Sequence, residues 1–381
     1  MTYFSIDNLR VAVCWQVYGN IFIRGFCVMM LNPDFYKGKK VFVTGHTGFK
    51  GIWLCKMLEM FGADVTGYAL ASPADEGEKV FHRSGVEGNM TSIMGDVRDF
   101  VALQQAFEAA RPEIVFHLAA QPIVLESYRD PVGTYSTNVM GTVNVLECIR
   151  QSDSVKSFVN VTTDKVYENK EWCWGYRENE PLDGFDPYSN SKSCSELVTH
   201  SYQKSFFADG RVAISTARAG NVIGGGDFSP DRIVPDCIRA AYAGETIQVR
   251  NPYSVRPYQH VLEPLYVYLL IAQGQYEDSA LAGWYNVGPD ECDCVTTGVL
   301  ADLFCRLWGD IGWQDISQDN SPHEARFLKL DCSKLKSVFG WQPRWNIKQA
   351  VQYTVEWAKA WQENGDIQYV MVRQIREFCK R

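Results

Sequence analysis

Eight residues constrain this chain more than any others: Thr44-Gly45-His46-Thr47-Gly48-Phe49-Lys50-Gly51, spelling TGxxGxxG between a short β-rich run at 40–44 and a helical pattern at 49–61. Glycines at a strand-to-helix junction let the backbone turn tightly, approach a pyrophosphate and press the helix onto the sheet. The free N–H groups and the helix dipole then receive the anion. An ordinary glycine-rich turn is the bland alternative, and it loses ground because residues 64–69 supply a second strand and complete a βαβ unit.

The alternation continues. Strands are predicted at 91–94, 114–118, 157–162 and 212–217, with helices at 101–110, 136–151 and 188–206. This is the pattern of an α/β chain with a Rossmann-type doubly wound parallel sheet. Beyond Arg218 the chain turns irregular and rich in Gly, Pro and aromatics, with helices at 233–243, 261–273, 296–307 and 347–361, which reads as a smaller mixed C-terminal substrate lobe. The division expected is an N-terminal extension at 1–36, a dinucleotide-binding domain at 37–217 with a return segment near 250–290, and the lobe at 218–381, interleaved with the domain before it. Residues 11–31 are apolar but interrupted by Gln16, Asn20 and Arg24, with no clean span and no small-residue cleavage site, so membrane insertion is not expected. A start at Met29 or Met30 suits the fold better, leaving the preceding residues poorly packed; a docking of Trp15 to Phe26 onto the body would count against that.

Charge and thiols narrow the function classes. With 37 Lys and Arg against 45 Asp and Glu the formal charge is −8, the wrong sign for a nucleic-acid binder, so an anionic ligand must be held locally. The 12 cysteines lack CxxC spacing and the six histidines lack HExxH or i, i+4 pairing, so no metal is expected. Scattered reduced thiols suit a cytoplasmic address.

Tyr188 and Lys192 form YxxxK, and four-residue spacing on a helix puts the phenol and the ammonium on one face. Such a pair is often a surface pair, but here it follows the fifth strand by a loop. That strand ends Thr162-Thr163-Asp164-Lys165, and side chains at the carboxyl end of a parallel strand face the ligand crevice. A solvated strand end competes with the functional reading of Asp164 and Lys165 as acid and base beside a substrate. About 20 residues past the glycine turn an acid commonly holds the adenosine ribose of NAD. That position is Ala71; Asp75 or Glu76 could substitute, and no Arg follows to greet a 2′-phosphate, so NAD is the expected cofactor.

The TGxxGxxG spacing and YxxxK resemble the short-chain dehydrogenase/reductase superfamily. The stretches HTGFKG (46–51), HLAAQP (117–122), YSTNVMGTVNVLE (135–147), TTDKVYENKEWCWGYRENEP (162–181), DPYSNSKSCSELV (186–198), ARAGNVIGGGDF (217–228), RNPYSVRPYQHVLEPL (250–265) and PHEARFLKLDCSK (322–334) closely resemble its sugar-nucleotide branch, the CDP-glucose 4,6-dehydratase family. The likeness runs from Met30 to about Trp361, with Ala71 as a departure and Thr162 and Val166 at variable positions. It implies a cofactor site of Gly45, Thr47, Gly48, Phe49, Gly51, Asp96, Val97, Ala119, Tyr188 and Lys192. It implies Tyr188 as the base at carbon 4 of glucose, helped by Thr163 and Lys192, with Asp164 as the acid at carbon 6 and Lys165 where relatives carry a Glu base. Asn221, Arg256 and Arg326 match nucleotide-sugar contacts; His260 and Glu324 are weaker candidates, and Trp172, Trp174 and Tyr176 either wall a pocket or fill a core. The resemblance further implies a nucleotide-sugar substrate, surface-polysaccharide synthesis, and a homodimer or tetramer paired through the helices at 136–151 and 188–206. The alternatives are a dehydratase or 4-epimerase of another sugar nucleotide, GDP-mannose or dTDP-glucose, and a non-catalytic dinucleotide-binding scaffold. Asp164 disfavours the epimerase, and Thr163, Asp164, Tyr188 and Lys192 all in register disfavour the scaffold.

Overall fold

The computed structural model describes residues 2–6, 9–13, 27–71, 75–317 and 327–380. Strands β1 (Thr2–Ile6), β2 (Leu9–Val13) and β3 (Cys27–Val28) form a small antiparallel sheet of their own. The expectation concerning Trp15 to Phe26 lies outside the described residues. From Met29 the chain belongs to the main body. Its N–H donates to Phe339 O, Leu31 is buried, and Tyr36 is fully buried with its hydroxyl donating to Leu269 O at 2.6 Å. Within the stretch 29–36, placed in the extension by sequence, Leu31 and Tyr36 therefore dock onto the body, the Tyr36 ring lying against Phe35 and Phe61, while Met30, Pro33 and Asp34 stay exposed.

The body is built on β4 (Lys40–Thr44), β5 (Asp64–Ala69), β6 (Thr91–Met94), β7 (Ile114–His117), β8 (Ser157–Thr163) and β9 (Ala213–Ala219). The helices α1 (Phe49–Met60), α2 (Asp75–Arg83), α3 (Phe100–Ala110), α4 (Val124–Arg129), α5 (Pro131–Tyr135), α6 (Gly141–Gln151) and α7 (Pro187–Phe206) connect them. After β9 come β10 (Val222–Ile223), α8 (Ile233–Ala243), β11 (Ile247–Val249), β12 (Val255–Arg256), β13 (Gln259–His260), α9 (Leu262–Glu277) and β14 (Trp284–Val287). The seven-stranded sheet has the order β14-β9-β8-β7-β4-β5-β6 and every pair in it is parallel. Both faces are covered, so β7, β8 and β9 are buried at every position, as parallel strands between two helical layers require. Strand order reverses between β4 and β7, and the crevice beyond the carboxyl ends of those strands is where such a sheet binds ligands.

One layer centres on α9, which is apolar and buried almost all round, against α1; the other centres on α3 and α6. A third cluster packs α8 and β11 against two later helices, α10 (Thr297–Trp308) and, beyond α11 (Ser333–Phe339), α12 (Ile347–Gln362). The final helix, α13 (Ile367–Cys379), lies past the last one read from sequence; its signal was there in the Asp366 cap and the apolar Val370, Met371, Ile375 and Phe378. The helix read as 136–151 instead opens with a wide π turn over Ser136–Met140. Asn138 causes it: its side chain accepts from Gln121 N, donates to Gln121 O, and reaches Ser191 Oγ on α7 at 2.8 Å. Such turns recur where a side chain must be aimed at a site.

Candidate active site

The glycine turn sits at the switch point. Gly45 has φ of 77°, and a Cβ there would come within 2.8 Å of Ala119 N; one on Gly51 would come within 2.1 Å of Gly45 O. Only glycine lets the turn lie this close to both the end of β7 and its own helix. Thr44 Oγ1 accepts the N–H groups of Leu118 and Ala119 at 3.1 and 3.2 Å, and Thr47 Oγ1 donates to Leu70 O at 2.8 Å, which fixes the loop from both sides. Helix α1 starts at Gly48 with no side chain to cap it, so its first amides are left for an anion. Phe49 leans its ring on Gly224. This cradle fits a dinucleotide pyrophosphate.

The adenosine end is thinner. Asp96 is engaged by Arg98 through both carboxylate oxygens, which holds its carboxyl below the usual range, while Val97 is buried against Gly141. Both follow the edge strand β6, away from β8. Ala71 is exposed, Glu76 pairs with Lys79 at 2.9 Å on the surface of α2, and the Asp75 side chain lies outside the described residues.

At the other end, β8 stops where Thr163 turns the chain into a 3-10 turn over Asp164–Val166, its hydroxyl accepting Lys165 N. Thr163 Oγ1 donates to Asp164 Oδ1 at 3.0 Å. Asp164 is 1% exposed and its Oδ2 has no hydrogen-bond partner among the described residues. A Cβ on Gly220 would sit 2.5 Å from that oxygen, so the glycine leaves the space it occupies. Burial pushes the Asp164 carboxyl up, against the pull of Lys165, the Thr163 hydrogen bond, Arg256 and Lys50.

Helix α7 begins with Asp186 accepting Ser189 N at 2.9 Å and Pro187 in the first turn, which sets Tyr188 at the mouth and Lys192 one turn deeper. The half-buried Tyr188 lies close enough to Thr163 for the threonine to act on its phenol. Burial pushes its phenol up to about 12, while Thr163 and the Arg232 charge pull the other way. Lys192 is buried, donates to Val161 O at 3.2 Å, and is lowered by burial to about 8 against the opposing charge of Glu196. Thus Thr163, Asp164, Lys165, Tyr188 and Lys192 converge. Arg256 is buried at the end of β12 with its charge acting on Asp164, and the half-buried Asn221 opens β10, its carbonyl accepting Gln259 N. Arg326 and Glu324 lie outside the described residues. His260 does not belong to the site: it is fully buried edge-on to Trp53 and Trp345, and burial lowers it to about 3. Tyr176 is core, stacked between Tyr167 and Trp172, whereas Trp174 is exposed.

Three participants escaped the sequence reading. Lys50, on the glycine turn, is lowered to about 7 by burial and by the charges of Arg232 and Lys192, with Asp164 and Asp227 opposing. Arg232 bonds the buried Asp227 at 3.0 Å and acts on Tyr188. Glu196, two turns along α7 from Tyr188, accepts Thr162 Oγ1 directly behind the catalytic strand end. The four-residue steps Tyr188, Lys192, Glu196, His200 were a visible signal for the last; the partners of Lys50 come from three distant segments and had none.

Comparison with known proteins agrees with this geometry. The chain is 47% identical over 356 residues, 92% of its length and 98% of the relative's, to the CDP-glucose 4,6-dehydratase of Salmonella typhimurium. It is 30% identical over 298 residues, 74% of its length and 82% of the relative's, to the dTDP-glucose 4,6-dehydratase of Streptomyces antibioticus. Among solved structures, the NAD complex of Thermus thermophilus UDP-glucose 4-epimerase superposes with a TM-score of 0.73 at 25% identity, covering 84% of this chain and 98% of that one. The family model described as GDP-mannose 4,6 dehydratase matches residues 42–354. With its glycine cradle, its Thr-Asp strand end and its Tyr and Lys one helical turn apart, the chain belongs to the GDP-mannose 4,6-dehydratase family.

Proposed function

We propose that this chain converts CDP-glucose to CDP-4-dehydro-6-deoxyglucose, a lyase reaction carried out with NAD. The observation that carries the reading is Asp164: a buried carboxyl with one bare oxygen, beside Thr163 and Tyr188, is what a dehydratase needs and an epimerase does not. Identity of 47% along nearly the whole of both chains to a CDP-glucose 4,6-dehydratase supports the choice of nucleotide.

Gly45, Thr47, Gly48, Phe49, Gly51 and Ala119 would hold the dinucleotide's pyrophosphate, with Lys192 at its nicotinamide end. Bound there, NAD would supply the hydride acceptor for carbon 4 and, once reduced, the hydride donor for carbon 6. Tyr188 takes the proton of the 4-hydroxyl. The resulting ketone acidifies carbon 5, and Lys165, half-buried on the turn that carries Asp164, removes that proton. Asp164, which burial keeps ready to hold a proton, protonates the departing 6-hydroxyl. Asn221, Arg256 and Arg326 are assigned to the sugar nucleotide, guanidinium groups suiting a diphosphate.

The protein is also proposed to act as a homodimer paired through α6 and α7, in and beside which Met140, Leu197 and Phe206 are exposed apolar side chains. Ten described cysteines are free thiols, which suits the cytoplasm. Among the described residues no helix is long and apolar enough to cross a membrane.

The test is incubation with NAD and CDP-glucose carrying deuterium at carbon 4, alongside GDP-mannose and dTDP-glucose. Deuterium appearing at carbon 6 of a dehydrated CDP-sugar is expected. Label retained at carbon 4, or dehydration of another nucleotide sugar in preference, would replace the reading. Tyr188→Phe should abolish turnover with cofactor binding intact.

A further inference from the structure

The acid and the base of the proposed reaction sit on a segment that the sheet no longer holds. Thr163 is the last residue of β8 and pairs in register with Ala219 on β9, so the ladder fixes it. Asp164, Lys165 and Val166 follow in a 3-10 turn beyond the end of that ladder. Residues off the sheet keep one geometry only if the chain is tied down where the turn ends.

The tie is Tyr167, the next residue. Its ring is buried and stacked on Tyr176 at 5.3 Å, and its hydroxyl donates to Asn286 Oδ1 at 2.6 Å while accepting from Arg218 Nη1 at 2.8 Å. These partners belong to one row. Thr162, Arg218 and Asn286 are in register across β8, β9 and β14, so their side chains leave the same face of the sheet. Asn286 is held in turn: its N–H donates to Glu178 Oε1 at 2.9 Å, and its Nδ2 donates to Tyr176 O at 2.7 Å and Asp331 O at 3.1 Å. Arg218 and Asn286 are both fully buried, so two locked side chains grip the phenol of Tyr167.

We propose that Tyr167 is a positioning residue for the elimination half of the reaction, an inference that rests on the dehydratase reading above. Its hydroxyl fixes the exit of the turn, so that Asp164 and Lys165 stand ready at carbons 6 and 5 once Tyr188 has acted at carbon 4. The oxidation machinery has anchors of its own, Thr163 in the ladder and Lys192, which donates to Val161 O at 3.2 Å ahead of the turn. Without the Tyr167 hydroxyl the turn shifts rather than unravels, because Val166 O still accepts from Ser193 Oγ at 2.7 Å and Tyr167 still bridges Leu182. A shift of about 1 Å in a positioned group is enough to cost about 10²-fold.

Single-turnover mixing of each enzyme and NAD with CDP-glucose separates the two halves. Absorbance of the reduced nicotinamide rises as carbon 4 is oxidised and falls only after water has left carbon 6. In Tyr167→Phe, which keeps the ring and its stacking, the rise should keep the wild-type rate while the fall slows by about 10–10²-fold. Asn286→Ala, which removes the acceptor and does not depend on the phenylalanine variant folding, should give the same split. Thr199→Ala takes away another buried hydroxyl of α7, one that accepts from Asn160 Nδ2 at 2.9 Å on the middle of β8; it should lower the urea midpoint and leave both rates as in wild type. A rise and a fall slowed by one common factor in Tyr167→Phe or Asn286→Ala, a fall at the wild-type rate in either, or the same split in Thr199→Ala would overturn the positioning role. Wild type that forms no reduced nicotinamide with CDP-glucose, or removes no water from it, would instead overturn the dehydratase reading beneath it.

Discussion

Two carboxylates lie on opposite sides of the end of β8, equally hidden from water, and they have been treated in opposite ways. Glu196, fully buried, accepts Thr162 Oγ1 at 2.5 Å, Thr216 Oγ1 at 2.7 Å and Arg218 Nη2 at 2.9 Å, with His200 at 3.3 Å. Among the described residues Asp164 accepts from Thr163 alone and keeps a bare oxygen. Alternation along the strand separates them: Thr162 turns to the back of α7 and Thr163 to the crevice. Burial by itself would raise both carboxyls. It does raise Asp164, but at Glu196 the Arg218 charge, the nearby His200 and the hydrogen bonds from Arg218 and Thr162 outweigh it and bring the group down to about 2. A buried charge that serves the scaffold is surrounded by partners, and one that serves chemistry is left short of them.

The sharpest way to break this contrast is to neutralise each group in turn. Asp164→Asn should cost about 10²–10⁴-fold in turnover, the range for a lost general acid, while leaving denaturant stability unchanged or raised, because a desolvated carboxylate has gone. Glu196→Gln should do the reverse. It strands Arg218, which is also fully buried, and the loss should be about 3–5 kcal/mol in the unfolding midpoint analysis. If the first variant unfolds easily or the second is as stable as wild type, the two sides of β8 do not differ as described.

Acid sharpens it further. Glu196 has a folded pKa below its ordinary value of 4.5, so the stability it supplies is complete above that value and disappears as pH falls through it towards about 2. The difference between wild type and Glu196→Gln should close over that window. Asp164 has a raised pKa, so its ionised form penalises the fold at higher pH and the penalty lifts as the carboxyl protonates. Wild type should therefore gain on Asp164→Asn as pH is lowered, the opposite slope, measurable in the same set of unfolding curves.

Sequence made one side of this comparison far more legible than the other. Thr163, Asp164, Tyr188 and Lys192 could be placed because a parallel strand aims its last residues into a crevice and a helix aligns positions four apart, both local rules. Glu196 obeys the same helical step, but its meaning depends on Arg218, which arrives on the neighbouring strand β9 in register with Thr162. Pairing across strands is set by tertiary packing and leaves no local trace. The sheet itself shows the same limit: β4 to β9 read directly from alternation, whereas β14 joins the edge beside β9 from a segment whose surroundings carry no βαβ rhythm. His260 and Tyr176, polar or aromatic near motif residues, turned out to be buried packing. Composition could not separate these cases, since burial is decided by what packs on top.

Lys50 tests whether the crevice side of the comparison extends to the glycine turn. Its ammonium is opposed by Arg232 and Lys192 and favoured by Asp164 and Asp227, so it shares the electrostatics of Asp164 without bonding to it. In the fold its pKa falls to about 7 from 10.5, so below about 7 the folded protein carries the full cost of holding the charge, and stability rises as pH climbs from there to 10.5. Lys50→Met should erase that rise and be the more stable protein at neutral pH. Losing a cation that acts on Asp164 should also lift the Asp164 pKa and move the alkaline limb of turnover upward by less than about one pH unit, a small displacement beside the losses above. A Lys50→Met profile that coincides with wild type on both measurements would assign the lysine to the cofactor turn alone and confine the poised electrostatics to the end of β8.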